Sequence, residues 1–177
     1  MYNLSKITSL CVILFLPLAA LADCFDTIKE TTPDSQLIDN GDGTIFDSAT
    51  GLMWKKCAEG LSGADCNIGV AEGFTWDDAL LQAAIVNASG GIAGYENWRL
   101  PNIKELVSIV EEACSPNINQ NRFSNAPLSY WSSTPAFHNS PLPNTATAWS
   151  VDLYSGGDVG SNSYKTNLSP VRLVRGP

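Results

Sequence analysis

The stretch Asn97-Trp98-Arg99-Leu100-Pro101-Asn102-Ile103-Lys104-Glu105-Leu106 leaves the backbone few choices. Pro101 disfavours the helical region for Leu100, so the Trp-Arg-Leu segment arrives extended. Asn102 is a strong helix N-cap residue. Glu105 stands three positions on, where its side chain reaches back to the cap N–H. Ile103, Leu106, Val107 and Val110 then share one apolar face. A Trp beside a helix start fills core, and an Arg there pairs with a nearby carboxylate or caps carbonyls. The motif therefore predicts a joint between extended chain and helix, ended by Pro116.

The flanking sequence supplies the elements that this joint connects. Ile38-Asp39-Asn40-Gly41-Asp42-Gly43-Thr44-Ile45 reads as strand, tight turn, strand. Leu52-Met53-Trp54-Lys55 is a third short strand after a second turn. The Asp-Gly run does not make an EF-hand, because Gly41 and Gly43 occupy ligand positions and no Glu closes the loop. Thr75 caps a first helix with Asp78 at the third helical position, and Trp76, Ala79, Leu80 and Ala83 form its apolar stripe. Ser89-Gly90-Gly91 stops it. Beyond Ser115 come short aromatic strands: Tyr130 to Thr134, Ala148 to Tyr154, Val159 to Tyr164 and Pro170 to Arg175. In the second of these Trp149, Val151 and Leu153 alternate with Ser150, Asp152 and Tyr154. Trp54, Trp76, Trp131 and Trp149 are all expected to face inward. Strands, two helices and then strands describe an α+β domain with an antiparallel sheet.

The N-terminus reads as a secretory signal. Lys6 gives a weak positive region, Leu10 to Leu21 is apolar, and Ala20-Leu21-Ala22 is a small-x-small cleavage site. The expected division is a signal peptide over residues 1–22, a lead-in over 23–35 and one domain over 36–177. The apolar run is too short to span a membrane, and nothing after it resembles a transmembrane segment. Asp23 before Cys24 argues against a lipoprotein signal. Cys24, Cys57, Cys66 and Cys114 remain after cleavage, an even set suited to an oxidising compartment. Four cysteines allow three pairings. Cys57 and Cys66 bracket a short Gly-rich loop and are paired on that ground, which leaves Cys24 with Cys114. In the chain-entropy account the short loop contributes about 2–3 kcal/mol and the long one about 4–5 kcal/mol. The Cys-x8-Cys spacing is not a zinc pattern, and one histidine cannot complete a second half-site. No cofactor and no metal ligand set is expected.

The whole chain has 10 basic and 18 acidic residues. Loss of Lys6 with the signal leaves 9 against 18, a net charge of −9. Such a surface repels nucleic acid and anionic membranes on average, and no nucleic-acid partner is expected.

Several elements, in order, resemble the Lcl C-terminal domain family, named after the end of a collagen-like bacterial adhesin. They are Asp39-Asn40-Gly41-Asp42-Gly43-Thr44, Thr50-Gly51-Leu52-Met53-Trp54, Phe74-Thr75-Trp76 with Ala79, and Trp98-Arg99-Leu100-Pro101-Asn102 with Glu105-Leu106. Tyr130-Trp131-Ser132-Ser133-Thr134 and Val171-Arg172-Leu173-Val174-Arg175-Gly176 complete the set. The resemblance implies a C-type-lectin-like fold, with two helices beside an antiparallel sheet and a long irregular loop region. It also implies an adhesin-like role. The eponymous member is an adhesin associated with sulfated glycans, and its stalk is collagen-like, but no Gly-X-Y run stands here, and the acidic charge disfavours sulfated polymers. The calcium-dependent sugar motifs of the wider fold are matched only by Leu142-Pro143-Asn144 and Trp149-Ser150-Val151-Asp152, without the Glu ligand.

The long loop over residues 135–147 is the expected recognition element, since such loops in compact domains are either binding loops or unstructured. Phe137, His138, Asn139 and Asn144 offer a stacking ring and amide donors. Asp152 and Tyr154, on the outward face of the next strand, extend the surface. Ser132, Ser133, His138 and Asp152 do not make a convincing triad, because no Gly-x-Ser-x-Gly elbow holds a nucleophile. The expected function is therefore an exported non-catalytic binding module, adhesin-like, that recognises a glycan or an envelope or host surface protein. A structural or assembly protein of the cell envelope is the alternative, and an envelope hydrolase the remote one. Periplasm, cell surface and medium are equally compatible, and the sequence does not specify an oligomeric state.

Overall fold

A computed structural model of the chain describes residues 23–136, 146–154 and 156–176. Chain order gives β1 (Asp23–Cys24), β2 (Leu37–Asp39), β3 (Thr44–Asp47), β4 (Met53–Lys55), β5 (Leu61–Ser62) and β6 (Ile68–Gly69), then helices α1 (Trp76–Ala88) and α2 (Ile103–Val107). After them come β7 (Cys114–Ser115), β8 (Ser129–Ala136), β9 (Thr147–Asp152), β10 (Asp158–Tyr164) and β11 (Val174–Arg175). All strand pairings are antiparallel. A four-stranded sheet runs β11-β4-β3-β2 and a three-stranded sheet runs β10-β9-β8. The architecture is α+β, as the order of patterns along the sequence requires.

Local chemistry sets both helix starts. Thr75 Oγ1 accepts the Asp78 N–H at 3.3 Å. At α2 the capping box is complete: Asn102 Oδ1 accepts the Glu105 N–H at 3.0 Å, and Glu105 Oε2 accepts the Asn102 N–H at 2.8 Å. Arg99 clamps the same carboxylate through both terminal nitrogens, at 2.7 and 2.6 Å. Burial pushes the Glu105 carboxyl up, but the Arg99 and Asn102 hydrogen bonds outweigh it and hold it below its ordinary range. Arg99 also exchanges two backbone hydrogen bonds with Val174, at 2.9 Å each. The Trp-Arg-Leu-Pro stretch thus lies beside the C-terminal strand, and Trp98 is buried beneath it.

Two apolar clusters make the core. One gathers Leu37, Ile45, Trp54, Leu106, Ile118, Phe123, Tyr130, Val151 and Leu153; the other gathers Trp76, Ala79, Trp98, Leu100, Trp131, Ala148, Val171 and Leu173. Strand β8 runs between them, which is why Tyr130 and Trp131, neighbours of opposite facing, are both fully buried. The segment Val171 to Val174 runs beside it, with the Trp131 N–H donating to the Pro170 carbonyl at 3.0 Å.

Arg172 is fully buried there and meets no carboxylate among the described residues. Its guanidinium donates to the carbonyls of Lys55 and Lys56 and to the Tyr130 hydroxyl. The Phe123 and Tyr130 rings flank it at 4.5 and 5.1 Å. Carbonyl dipoles and π faces replace the water that this cation gave up.

Both disulfides form as the spacing predicts, Cys57–Cys66 and Cys24–Cys114. The lead-in over 23–35 is hooked onto the body. Buried Glu111 accepts the backbone N–H groups of Thr31 at 3.0 Å, Thr32 at 2.7 Å and Ala113 at 2.9 Å. Burial raises its pKa, but these bonds and the Thr32 hydroxyl outweigh that, and it lies below its ordinary value.

Four expectations are corrected. Helix α2 ends at Val107, well short of Pro116, because Val110 bridges to Ile118 and Glu111 turns in to the lead-in. Val107 therefore leaves the apolar face and is exposed. Leu80 is also exposed, since α1 packs through the narrower stripe Trp76, Ala79 and Ala83. Trp149 is only half-buried: β8 shifts register between Trp131 and Pro135, opposite it, so the strands do not align there. Finally, only Val174 and Arg175 of the last segment form a strand, although Val171 to Leu173 are buried.

Candidate functional site

Strand β9 carries two different faces. Val151 points into the first core cluster, while Ser150 and Asp152 point the other way. That other face forms an open groove of about 350 Å³, lined by Ser129, Ser150, Asp152, Asp158, Gly160 and Ser163 of the sheet and by Asn167, Leu168 and Ser169 of the following turn. Trp131 underlies it, fully buried, with its indole N–H donating to the Phe74 carbonyl at 2.8 Å. The ring closes the floor and offers no stacking surface.

Strand register builds the polar lining. Asp152 lies opposite both Ser129 and Asp158, and Ser150 lies opposite Trp131 and Gly160. The Ser150 and Ser163 hydroxyls are 2.8 Å apart, and those of Ser129 and Ser169 are 3.3 Å apart. Each hydroxyl of these pairs keeps lone pairs or a proton for a further partner. Two carboxylates stand side by side across β9 and β10, an arrangement that is unfavourable in an unliganded sheet. Among the described residues that line it there is no Lys, Arg or His. The groove can therefore accept hydroxyl and amine donors and disfavours anions.

Of the residues predicted for recognition, Asp152 lies in this groove. Tyr154 is 69% exposed in the turn beyond β9, and its backbone N–H donates to Asp152 Oδ1 at 2.8 Å. It does not line the groove. Phe137, His138, Asn139 and Asn144 lie outside the described residues. Sequence reasoning missed Ser129, Ser150, Asp158, Ser163, Asn167 and Ser169. A signal for two of them was present. Alternation along β9 puts Ser150 with Asp152, and the Gly156-Gly157 turn folds Asp158 back against Asp152. Ser129 and Ser169 come together from distant parts of the chain, which no local pattern announces.

Other candidates resolve into structure. Asp39 accepts from Lys56 Nζ at 2.7 Å and from the Gly41 N–H at 2.9 Å, and Asp42 accepts the Thr44 N–H and hydroxyl. The Asp-rich run is thus a hydrogen-bonded turn. Among the described residues, no group of three or more His, Cys, Asp or Glu is placed to hold a metal ion. No described helix is long and apolar enough to cross a membrane.

The chain is thus a disulfide-bonded α+β domain that presents an open groove on β8, β9 and β10. Among curated proteins none matches the chain. The family model of the Lcl C-terminal domain matches residues 43–175, and the chain belongs to that family.

Proposed function

We propose that the chain is an exported, non-catalytic, adhesin-like binding module whose groove on β8, β9 and β10 takes a neutral or amine-bearing glycan. The carrying observation is the lining: serine hydroxyls above the Trp131 floor, two carboxylates at one side and, among the described residues, no cation. Polyols are recognised by such convergent donors and acceptors, and an amine gains from the carboxylates. Membership of the Lcl C-terminal domain family supports the adhesin-like reading. The two helices beside antiparallel sheets fit a C-type-lectin-like arrangement, and the two disulfides fit export to an oxidising compartment.

A glycan array probed with the purified chain at low and physiological salt tests this. Neutral or amino-sugar glycans are expected to be retained, and Asp152→Asn with Asp158→Asn should remove the amine preference. Retention of sulfated glycans alone would overturn the ligand class. No glycan binding, with a protein partner recovered by crosslinking in the native envelope, would favour the assembly role instead.

A further inference from the structure

Twelve of the 14 glycines have φ between +68° and +101°, where a side chain is strained, so the backbone itself requires them. Gly73 is not among these, but a Cβ there would stand 3.1 Å from the Leu168 Cβ, so packing keeps it bare. Gly160 has neither reason. It lies within β10, and its φ is outside the left-handed region. Among the described residues, a Cβ built on it meets only Ser150 Oγ, at 3.8 Å, an ordinary van der Waals contact. Glycine inside a strand weakens it, because the unfolded chain has more freedom to lose and no side chain packs in the folded one. Folding alone would favour a residue with a side chain here.

The missing side chain leaves its space to the groove. Gly160 is exposed, lines the groove and stays in register with Ser150; the register shift follows it, between Gly160 and Ser163. Two residues back along β10 stands Asp158, with Asp152 opposite. Each strand residue advances about 3.3 Å, so this carboxylate row lies about 7 Å from Gly160. On the other side Ser163 meets Ser150, hydroxyl to hydroxyl, at 2.8 Å. Gly160 is thus a bare stretch of backbone between a pair of carboxylates and a pair of hydroxyls. Strands close to a ligand use glycine in this way, to let it approach the main chain.

We infer that Gly160 is the specificity-determining position of the groove, the seat of a single hexosamine unit with a free amine; this rests on the glycan reading above. The sugar ring lies over the bare backbone, in the space that any side chain at this position would fill. A protonated amine carries three donors and bridges Asp152 and Asp158, while ring hydroxyls reach Ser150 and Ser163. An N-acetylated amine has no charge and one N–H. Its carbonyl is a further acceptor set beside carboxylates that themselves only accept. The seat therefore selects the deacetylated sugar.

Calorimetric titration of the full purified chain with a fully deacetylated glucosamine tetramer tests the seat. The wild type is expected to bind it, and to bind the fully N-acetylated tetramer about tenfold more weakly or worse. Gly160→Val should weaken glucosamine binding about tenfold or more, and Gly160→Ala by less, while denaturation midpoints stay level or rise. Wild-type affinity in Gly160→Val overturns the seat; if Asp152→Asn still weakens binding, the groove reading survives that result. A lower denaturation midpoint in both Gly160→Ala and Gly160→Val also overturns it, because the glycine would then serve the fold. Equal affinity for the two tetramers overturns the selection for a free amine. A wild type that binds neither tetramer nor any other neutral or amine-bearing glycan removes the groove reading and the seat together.

Discussion

The two faces of strand β9 were made by the same alternation and do opposite work. Val151 and Tyr130, paired across β9 and β8, are fully buried in the first core cluster. Ser150 and Asp152, one residue to either side of Val151, open into the groove. On the inner face a change of one methylene is felt by every neighbour. On the outer face the side chains have spare hydrogen-bonding capacity, and two carboxylates are placed where stability alone would separate them. The inner face fixes the sheet, and the outer face holds the polar groups on which the proposed recognition rests.

The largest test of that contrast exchanges the faces. Val151→Asp should cost about 4 kcal/mol or more, since it buries an unpaired carboxylate among Tyr130 and Leu153. Asp152→Val should move stability by no more than about 0.5 kcal/mol, as for other surface positions, while it weakens binding of an amine-bearing glycan about tenfold. Chemical denaturation and a binding titration separate the two outcomes. Equal destabilisation by both variants would erase the distinction.

Arg172 extends the inner face by a different means. Arg172→Met keeps most of the volume but leaves the Lys55 and Lys56 carbonyls without their donors, each at about 1–3 kcal/mol. Denaturation should therefore show a loss of several kcal/mol, comparable with a core deletion and far above any groove variant. A neutral result would show that side-chain packing at this position, and neither the carbonyl hydrogen bonds nor the cation–ring contacts, sets its worth to stability.

The acid response should be smaller and should map to the lead-in. The folded pKa of Glu111 is depressed from 4.5, so its contribution is present above the unfolded value and is lost as pH falls through the folded one. Wild-type stability should decline below about pH 4.5 in part through this carboxylate, and Glu111→Gln should flatten that decline while lowering stability near neutrality. Denaturation midpoints across pH check both signs. Amide exchange at Thr31 and Thr32 should rise first, because those N–H groups donate to Glu111.

What the sequence made legible was local. The Thr75 and Asn102 caps, the turn between Ile38 and Ile45, the Arg99–Glu105 pair and the Cys57–Cys66 loop each depend on residues close in the chain. Tertiary contacts decided the rest. Helix α2 stops early because Glu111 is claimed by Thr31 and Thr32, eighty residues away or nearly so. Helix α1 carries apolar residues on both its buried and its outward sides, so its pattern could not say that Leu80 faces out. The groove is harder still. Its Ser129–Ser169 contact joins segments forty residues apart, and serine is too common for position alone to mark it. The 135–147 loop draws attention by its length, whereas the face of β9 that holds Ser150 and Asp152 shows itself only through strand alternation.

The most direct test of the groove follows backbone amide shifts while a glucosamine oligomer is titrated into the labelled chain. Progressive, saturable changes at Ser150, Asp152, Asp158, Ser163 and Asn167, with Val151 and Leu153 much less affected, are the predicted result. Changes confined to another surface, or none at millimolar ligand, would contradict the claim that the outer face of β9 is where this protein recognises its partner.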